Sequence, residues 1–148
     1  MREISAKQIT EVVKKLCIDA NLYMGEDVLA AFDRGEKMEE SPVGKEIFQQ
    51  LKENARIARE EKVAYCQDTG LAVVFVEMGQ DVHVVGGDFN AAVNEGVRQG
   101  YQEGYLRKSA CHCFSRANTK DNTPAVIHLE IVPGNQMKIT VAPKGGGS

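Results

Sequence analysis

The sequence predicts an α+β fold, with N-terminal helices followed by a mixed sheet with packed helices. Three observations predict it. The first sixty residues carry apolar side chains at helical spacing. From Val63 the pattern changes to short β-rich runs divided by glycines and polar turns. The order helices, strands, helix, strands does not alternate as a regular βαβ series would. At 148 residues the chain has the length of one domain with a true core, and residues 1–148 read as a single unit.

The elements follow in order. Ser5 is an N-cap candidate, followed by Ile9, Val12, Val13, Leu16, Cys17 and Ala20 on one helical face. A second short helix fits residues 27–33 and ends at Gly35, with an acidic, solvated loop at 37–40. Ser41-Pro42 supplies the cap and first turn of a third helix. Its apolar side is Val43, Ile47, Leu51, Ala55 and Ala58. Residues 63–65 read as a short strand, 66–70 as a polar loop, and 71–77 and 82–85 as strands. Gly86-Gly87 breaks the pattern, and Asp88 caps a helix that buries Phe89, Ala92, Val93 and Val97. Residues 107–124 are polar and irregular. Residues 125–132 and 137–142 read as two strands joined by Pro133-Gly134-Asn135, a hairpin-like turn.

Composition excludes several classes. The chain is 43% apolar and 26% charged, which rules out wholesale disorder. Eighteen basic against 21 acidic residues give a net charge of −3, so no nucleic-acid partner held by bulk charge is expected. No apolar run approaches the ~20 residues that span a bilayer, so no membrane partner is expected. The N-terminus lacks the apolar core of a secretory signal, and a cytoplasmic location is the expectation. Cys17, Cys66, Cys111 and Cys113 therefore read as thiols or metal ligands rather than disulfides.

Four places carry candidate chemistry. Cys66-Gln67-Asp68-Thr69-Gly70 puts a thiol, an amide, a carboxylate and a hydroxyl on one tight turn. A thiolate is a soft ligand for iron or zinc. The plain alternative is a buried cysteine ending a strand, with Asp-Thr-Gly forming an Asx turn. Cys111-His112-Cys113 packs three ligand types closely, but its spacing lacks a CxxC partner and a fourth ligand. Arg98, Arg107, Lys108, Arg116 and Lys120 surround the irregular segment, where arginine suits bidentate carboxylate capture and a solvated face is the ordinary role. Residues 118–124, Asn-Thr-Lys-Asp-Asn-Thr-Pro, hold a dense set of hydrogen-bonding groups that a capped turn also explains. His83 and His128 fall inside strand candidates and read as structural.

Taken together and in order, these motifs are specific. CQDTG at 66–70, Gly-Gly-Asp-Phe at 86–89 with Asn-Glu-Gly-Val-Arg at 94–98, Leu-Arg-Lys-Ser at 106–109, Asp-Asn-Thr-Pro-Ala at 121–125 and PKGGGS at 143–148 closely resemble the iron–sulfur (class I) fumarate hydratases. The resemblance is to the α subunit or N-terminal domain of that family, which includes L-tartrate dehydratase. It implies a [4Fe–4S] hydro-lyase acting on a small dicarboxylate. By motif position Cys66 would ligate the cluster, and Gln67 and Asp68 would face the substrate. Asp68 would also align the proton-transfer group. Arg107 would clamp a substrate carboxylate, and the turn of Gly145, Gly146 and Gly147 would offer backbone N–H groups to the diacid.

The family's other two cluster cysteines and its catalytic histidine are not in these residues, so the chain reads as the N-terminal portion of an incomplete catalytic domain. A β subunit or C-terminal domain, and an oligomer, are the expected partners. Reversible hydration of fumarate to (S)-malate is the leading reaction, with L-tartrate dehydration as the alternative. A catalytically inactive binding or assembly module of the same fold, and a small zinc protein using residues 111–113, are the readings from other classes.

Overall fold

The apolar run LAVVFVEMG forms the longest strand of the structure, a computed structural model that describes residues 1–146. In chain order the elements are β1 (Arg2–Ser5), α1 (Ala6–Leu22), α2 (Glu26–Met38), α3 (Pro42–Glu61), β2 (Leu71–Gly79), β3 (Val82–Val85), α4 (Phe89–Glu103), β4 (Val126–Val132) and β5 (Met137–Lys144). They separate into two compact units, one of residues 1–20 with 67–148 and one of residues 21–66. The architecture is α+β, as expected.

In the first unit β2 is the central strand of a three-stranded sheet of order β4-β2-β5. It runs parallel to β4, pairing Val73 with Val126, and antiparallel to β5, pairing Leu71 with Lys144. Strand alternation buries Ala72, Val74 and Val76 and leaves Leu71 and Phe75 exposed on the other face. The expected hairpin of β4 on β5 does not form. The turn residues bond instead across the end of β2: the Gly79 N–H donates to the Gln136 carbonyl at 2.7 Å, and the Asp81 N–H to the Gly134 carbonyl at 3.0 Å. The connection therefore crosses over β2 and delivers β5 to its opposite side.

β1 and β3 form a separate parallel pair, Arg2 opposite Val82. β1 has only four residues, too few for a period to be seen in the sequence. At its end Ser5 and Gln8 make a reciprocal cap: the Gln8 N–H donates to Ser5 Oγ at 3.2 Å, and the Ser5 N–H to Gln8 Oε1 at 2.9 Å. Asp88 caps α4 as expected, accepting from the Ala91 N–H at 2.7 Å.

The core of this unit is the crossing of α1 and α4. Ile9, Val13 and Cys17 are buried on α1; Ala92, Val93, Val97 and Tyr101 are buried on α4. The helices meet at glycines. A Cβ on Gly96 would stand 2.7 Å from both the Thr10 carbonyl oxygen and Val13 Cβ, and one on Gly100 would stand 2.9 Å from Cys17 Cβ. The close approach also lets Thr10 Oγ1 donate to the Ala92 carbonyl at 3.0 Å within the core.

The second unit is the helical pair α2 and α3. α2 runs through Gly35 to Met38 rather than stopping at the glycine, so residues 37–38 are helix and not loop. Gly35 serves as a notch for the Phe48 ring, whose Cζ lies 2.5 Å from where a Cβ would be. Phe48 also packs on Phe32, and Lys52 bonds Asp33 and Glu36 at 2.9 and 2.6 Å. The Phe48–Lys52 row thus faces α2. On the apolar side of α3 only Ala55 and Ala58 are buried, while Val43, Ile47 and Leu51 are exposed. Ser41 caps α3, with Pro42 in its first turn. Residues 63–65 form no strand. The Val63 N–H returns to the Ala58 carbonyl, the Tyr65 N–H donates to Asn21, and the Tyr65 carbonyl accepts from Asn54 Nδ2. No helix among the described residues is long and apolar enough to cross a membrane.

Two predictions follow from this packing. Gly96→Ala overpacks the helix crossing and should destabilise the chain by about 1–3 kcal/mol, read as a lower denaturant midpoint; an unchanged midpoint would contradict the packing. Burial pushes the Cys17 thiol up to about 12, so it stays protonated through pH 8–10. Stability linked to this thiol is therefore full below the ordinary value of 9.0 and falls progressively as pH rises from there to about 12. Cys66, Cys111 and Cys113 are exposed and should react with a disulfide reagent in the native protein, while Cys17 should react only after unfolding.

Candidate functional site

Strand register assembles the site. The β2–β5 ladder ends at Leu71 opposite Lys144, so the residues before β2 and those after β5 continue side by side. The Gly146 N–H accordingly donates to Asp68 Oδ2 at 2.9 Å, across 78 positions of sequence. β4 is parallel to β2, so the segment entering β4 lies beside the segment entering β2. There Asn122 Nδ2 donates to the Gly70 carbonyl at 3.0 Å. Three motifs far apart in sequence meet at one end of one sheet.

The loop at 67–70 is held at each of its last three residues. Asp68 Oδ1 accepts from the Gly70 N–H at 3.1 Å, which is the expected Asx turn. Thr69 is buried, and its Oγ1 donates to the Arg107 carbonyl at 2.9 Å. The Tyr101 hydroxyl, buried on α4, donates to the Thr69 carbonyl at 2.7 Å. Gly70 has φ +66°, and a Cβ there would lie 2.4 Å from the Lys144 carbonyl carbon. Only glycine fits both the left-handed backbone and the adjacent strand.

Electrostatics make Asp68 an anion. The Gly146 N–H, then the Gly70 N–H, hold its carboxyl below the usual carboxylate range, and the Arg107 and Lys144 charges add to the effect. Asp68 is thus a committed hydrogen-bond acceptor at neutral pH. The Gly146 N–H, expected to be offered to a ligand, is engaged by Asp68 here.

The other expected residues are placed as follows. Cys66 ends the second unit with an exposed, free thiol, and Gln67 and Arg107 are exposed. Gly145 is half-buried, Gly146 is exposed, and Gly147 lies outside the described residues. Cys111-His112-Cys113 enters a tight reversal: Cys111 bridges to Asn118, and the His112 N–H donates to the Ala117 carbonyl at 2.8 Å. Among the described residues no three or more His, Cys, Asp or Glu side chains form a group that could hold a metal ion. Arg98 pairs with Glu95 on its own helix, and Lys108 Nζ donates to the Tyr101 carbonyl at 3.1 Å. His83 lies in β3, and His128 in β4 stacks on Phe75 with ring centroids 5.0 Å apart. One residue of the site is missed by the sequence reading, and a second is noticed there only as part of a motif. Tyr101 looks like any apolar position of a helix, and Asn122 was one of several polar residues in a capped turn.

Gly70→Ala tests the assembly. It should lower the melting temperature and release Asp68 from Gly146, read as faster exchange of the Gly146 amide; unchanged exchange would contradict the close approach at Lys144.

Comparison with known proteins places the sequence in a family. The family model described as fumarate hydratase (Fumerase) matches residues 10–148. A Methanocaldococcus jannaschii protein provisionally named L(+)-tartrate dehydratase subunit alpha is 32% identical over 95% of this chain and 52% of its own length. The anaerobic class I fumarate hydratase of Escherichia coli is 37% identical over 74% of this chain and 20% of its own length. The L(+)-tartrate dehydratase subunit alpha of Escherichia coli is 27% identical over 99% of this chain and 49% of its own length. The chain spans about half the length of these tartrate dehydratase α subunits and a smaller share of the fumarate hydratase. With the family model covering nearly all of it, the chain belongs to the fumarate hydratase (Fumerase) family.

Proposed function

We propose that this chain is the N-terminal portion of a [4Fe–4S]-dependent hydro-lyase that reversibly hydrates fumarate to (S)-malate, with L-tartrate dehydration as the alternative reaction. The observation that carries the reading is the anionic Asp68, held by backbone amides at the sheet end with the Arg107 and Lys144 charges around it. A small diacid needs cations for its carboxylates and a fixed acceptor near its reacting carbon.

The donor set fits one corner of a cluster. Cys66 offers a single exposed, free thiol, and no group of three ligands exists among the described residues. Cys66 is the residue that would ligate iron, and the other two thiolates would come from outside this chain. When bound, such a cluster supplies a Lewis acid toward the substrate's hydroxyl and carboxylate oxygens. Gln67, exposed beside Cys66, donates and accepts hydrogen bonds toward the diacid. Arg107 clamps a carboxylate with its guanidinium fork. Asp68, kept ionised, orients the proton-transfer group rather than storing a proton. Gly145 and Gly146, having no side chains, let a ligand approach the main chain at this end of the sheet. The complete protein pairs this chain with a β subunit or C-terminal domain in an oligomer, in the cytoplasm.

The test uses the complete protein, reconstituted with iron and sulfide without oxygen and assayed with fumarate and L-tartrate. Cys66→Ser should lose both the cluster absorbance and turnover, and residues 1–148 alone should show neither. A wild-type protein that takes up no iron and turns over neither diacid would overturn the reading.

A further inference from the structure

We infer that Asn122 is a positioning residue that fixes the spacing between the loop carrying Asp68 and the segment carrying Arg107. Asn122 is fully buried, and its side-chain amide is used on both ends. Its Oδ1 accepts from the Ser109 N–H at 2.8 Å and the Ala110 N–H at 3.0 Å. Its Nδ2 donates to the Gly70 carbonyl at 3.0 Å. Two backbone donors on one side and a carbonyl on the other leave one orientation of the amide. No other amino acid of this length offers an acceptor and a donor at that reach.

The segment at 107–110 depends on this oxygen. Ser109 Oγ is buried and has no hydrogen-bond partner among the described residues, so the serine is held by its backbone and not by its side chain. The segment's other ties include Thr69 Oγ1 to the Arg107 carbonyl and Asn118 Nδ2 to the Lys108 carbonyl, each at 2.9 Å, Lys108 Nζ to the Tyr101 carbonyl at 3.1 Å, and the Thr119 N–H and Oγ1 to the Ala110 carbonyl at 2.9 and 3.2 Å. None of these engages the Ser109 or Ala110 N–H. On the loop side the Tyr101 hydroxyl reaches the Gly70 carbonyl at 3.3 Å, a longer contact than that of Asn122. Asn122 also adopts φ +65°, a conformation that asparagine tolerates better than most residues. A buried residue with both ends engaged and a left-handed backbone is specified by geometry rather than by packing volume.

The inference rests on the proposed hydro-lyase reading for its kinetic arm and on the fold alone for its exchange arm. Asn122→Asp keeps the acceptor arm and the tolerance for positive φ, and loses the donor to Gly70. Asn122→Gly keeps the backbone and loses both arms. In the complete enzyme, with the diacid that wild type turns over, Asn122→Asp should lower kcat by about tenfold with KM within about twofold, because the Asp68 loop shifts while the Arg107 segment stays. Asn122→Gly should lower kcat and also raise KM. By hydrogen exchange, the amides of residues 107–111 should lose protection in Asn122→Gly and keep it in Asn122→Asp. Wild-type kcat in a folded Asn122→Asp, or protection at 107–111 unchanged in Asn122→Gly, would overturn the inference. If Asn122→Gly does not fold, the kinetics of Asn122→Asp decide it. If wild type turns over neither fumarate nor L-tartrate, the functional reading falls and the exchange arm alone judges the role of Asn122.

Discussion

The register of β2 against its two neighbours is the constraint on which the rest of the first unit depends. An antiparallel partner on one side and a parallel partner on the other bring three chain segments to the same end of the sheet. The Asp68 loop leads into β2, Asn122 leads toward β4, and the glycines follow β5. A slip of one residue in either ladder would turn every side chain to the opposite face and part Asp68 from Gly146. The burial of Ala72, Val74 and Val76 on one face of β2 opposes such a slip.

The local chemistry follows from that convergence. Backbone amides and carbonyls released at strand ends must find partners. Here they find the side chains of Asp68, Thr69, Tyr101 and Asn122. The same bonds that satisfy the backbone lower the proton affinity of Asp68 and fix the loop that follows Cys66. Gly70 is required because the β5 backbone passes where a side chain would stand. Structural and functional demands thus fall on the same few residues, which is why the plain Asx-turn reading of the loop and the functional one are compatible.

The helices were legible in the sequence to the extent that their caps and faces were local. Ser5, Ser41 and Asp88 act as the caps they resembled, and Val13, Cys17, Val93 and Val97 are buried as their spacing required. Errors arose where a partner decided the outcome. Val43 and Ile47 lie at helical spacing with Leu51, yet α2 docks along Phe48 and Lys52 instead. Gly35 carries a helix-stop signal, yet the fold uses it to admit a ring. Residues 63–65 have strand composition but no strand to pair with. Among the candidate site residues, the CQDTG and PKGGGS motifs and the 118–124 turn that holds Asn122 drew notice, while Tyr101 did not, because nothing local distinguishes a structural tyrosine from one that spans two motifs.

The sequence by itself determined the α+β class, the helix caps, the buried positions Ile9, Val13 and Cys17 of α1 and Ala92, Val93 and Val97 of α4, and the family to which the motifs belong. These depend on propensity, period and residue identity, all of which are properties of nearby positions. Only the tertiary structure decided that β4 and β5 flank β2 instead of pairing with each other, and that Asp68 meets Gly146 while Asn122 meets Gly70. Those contacts join residues separated by long stretches of chain. Their geometry is set by which backbone hydrogen bonds the whole sheet can satisfy at once, and no single segment carries that information.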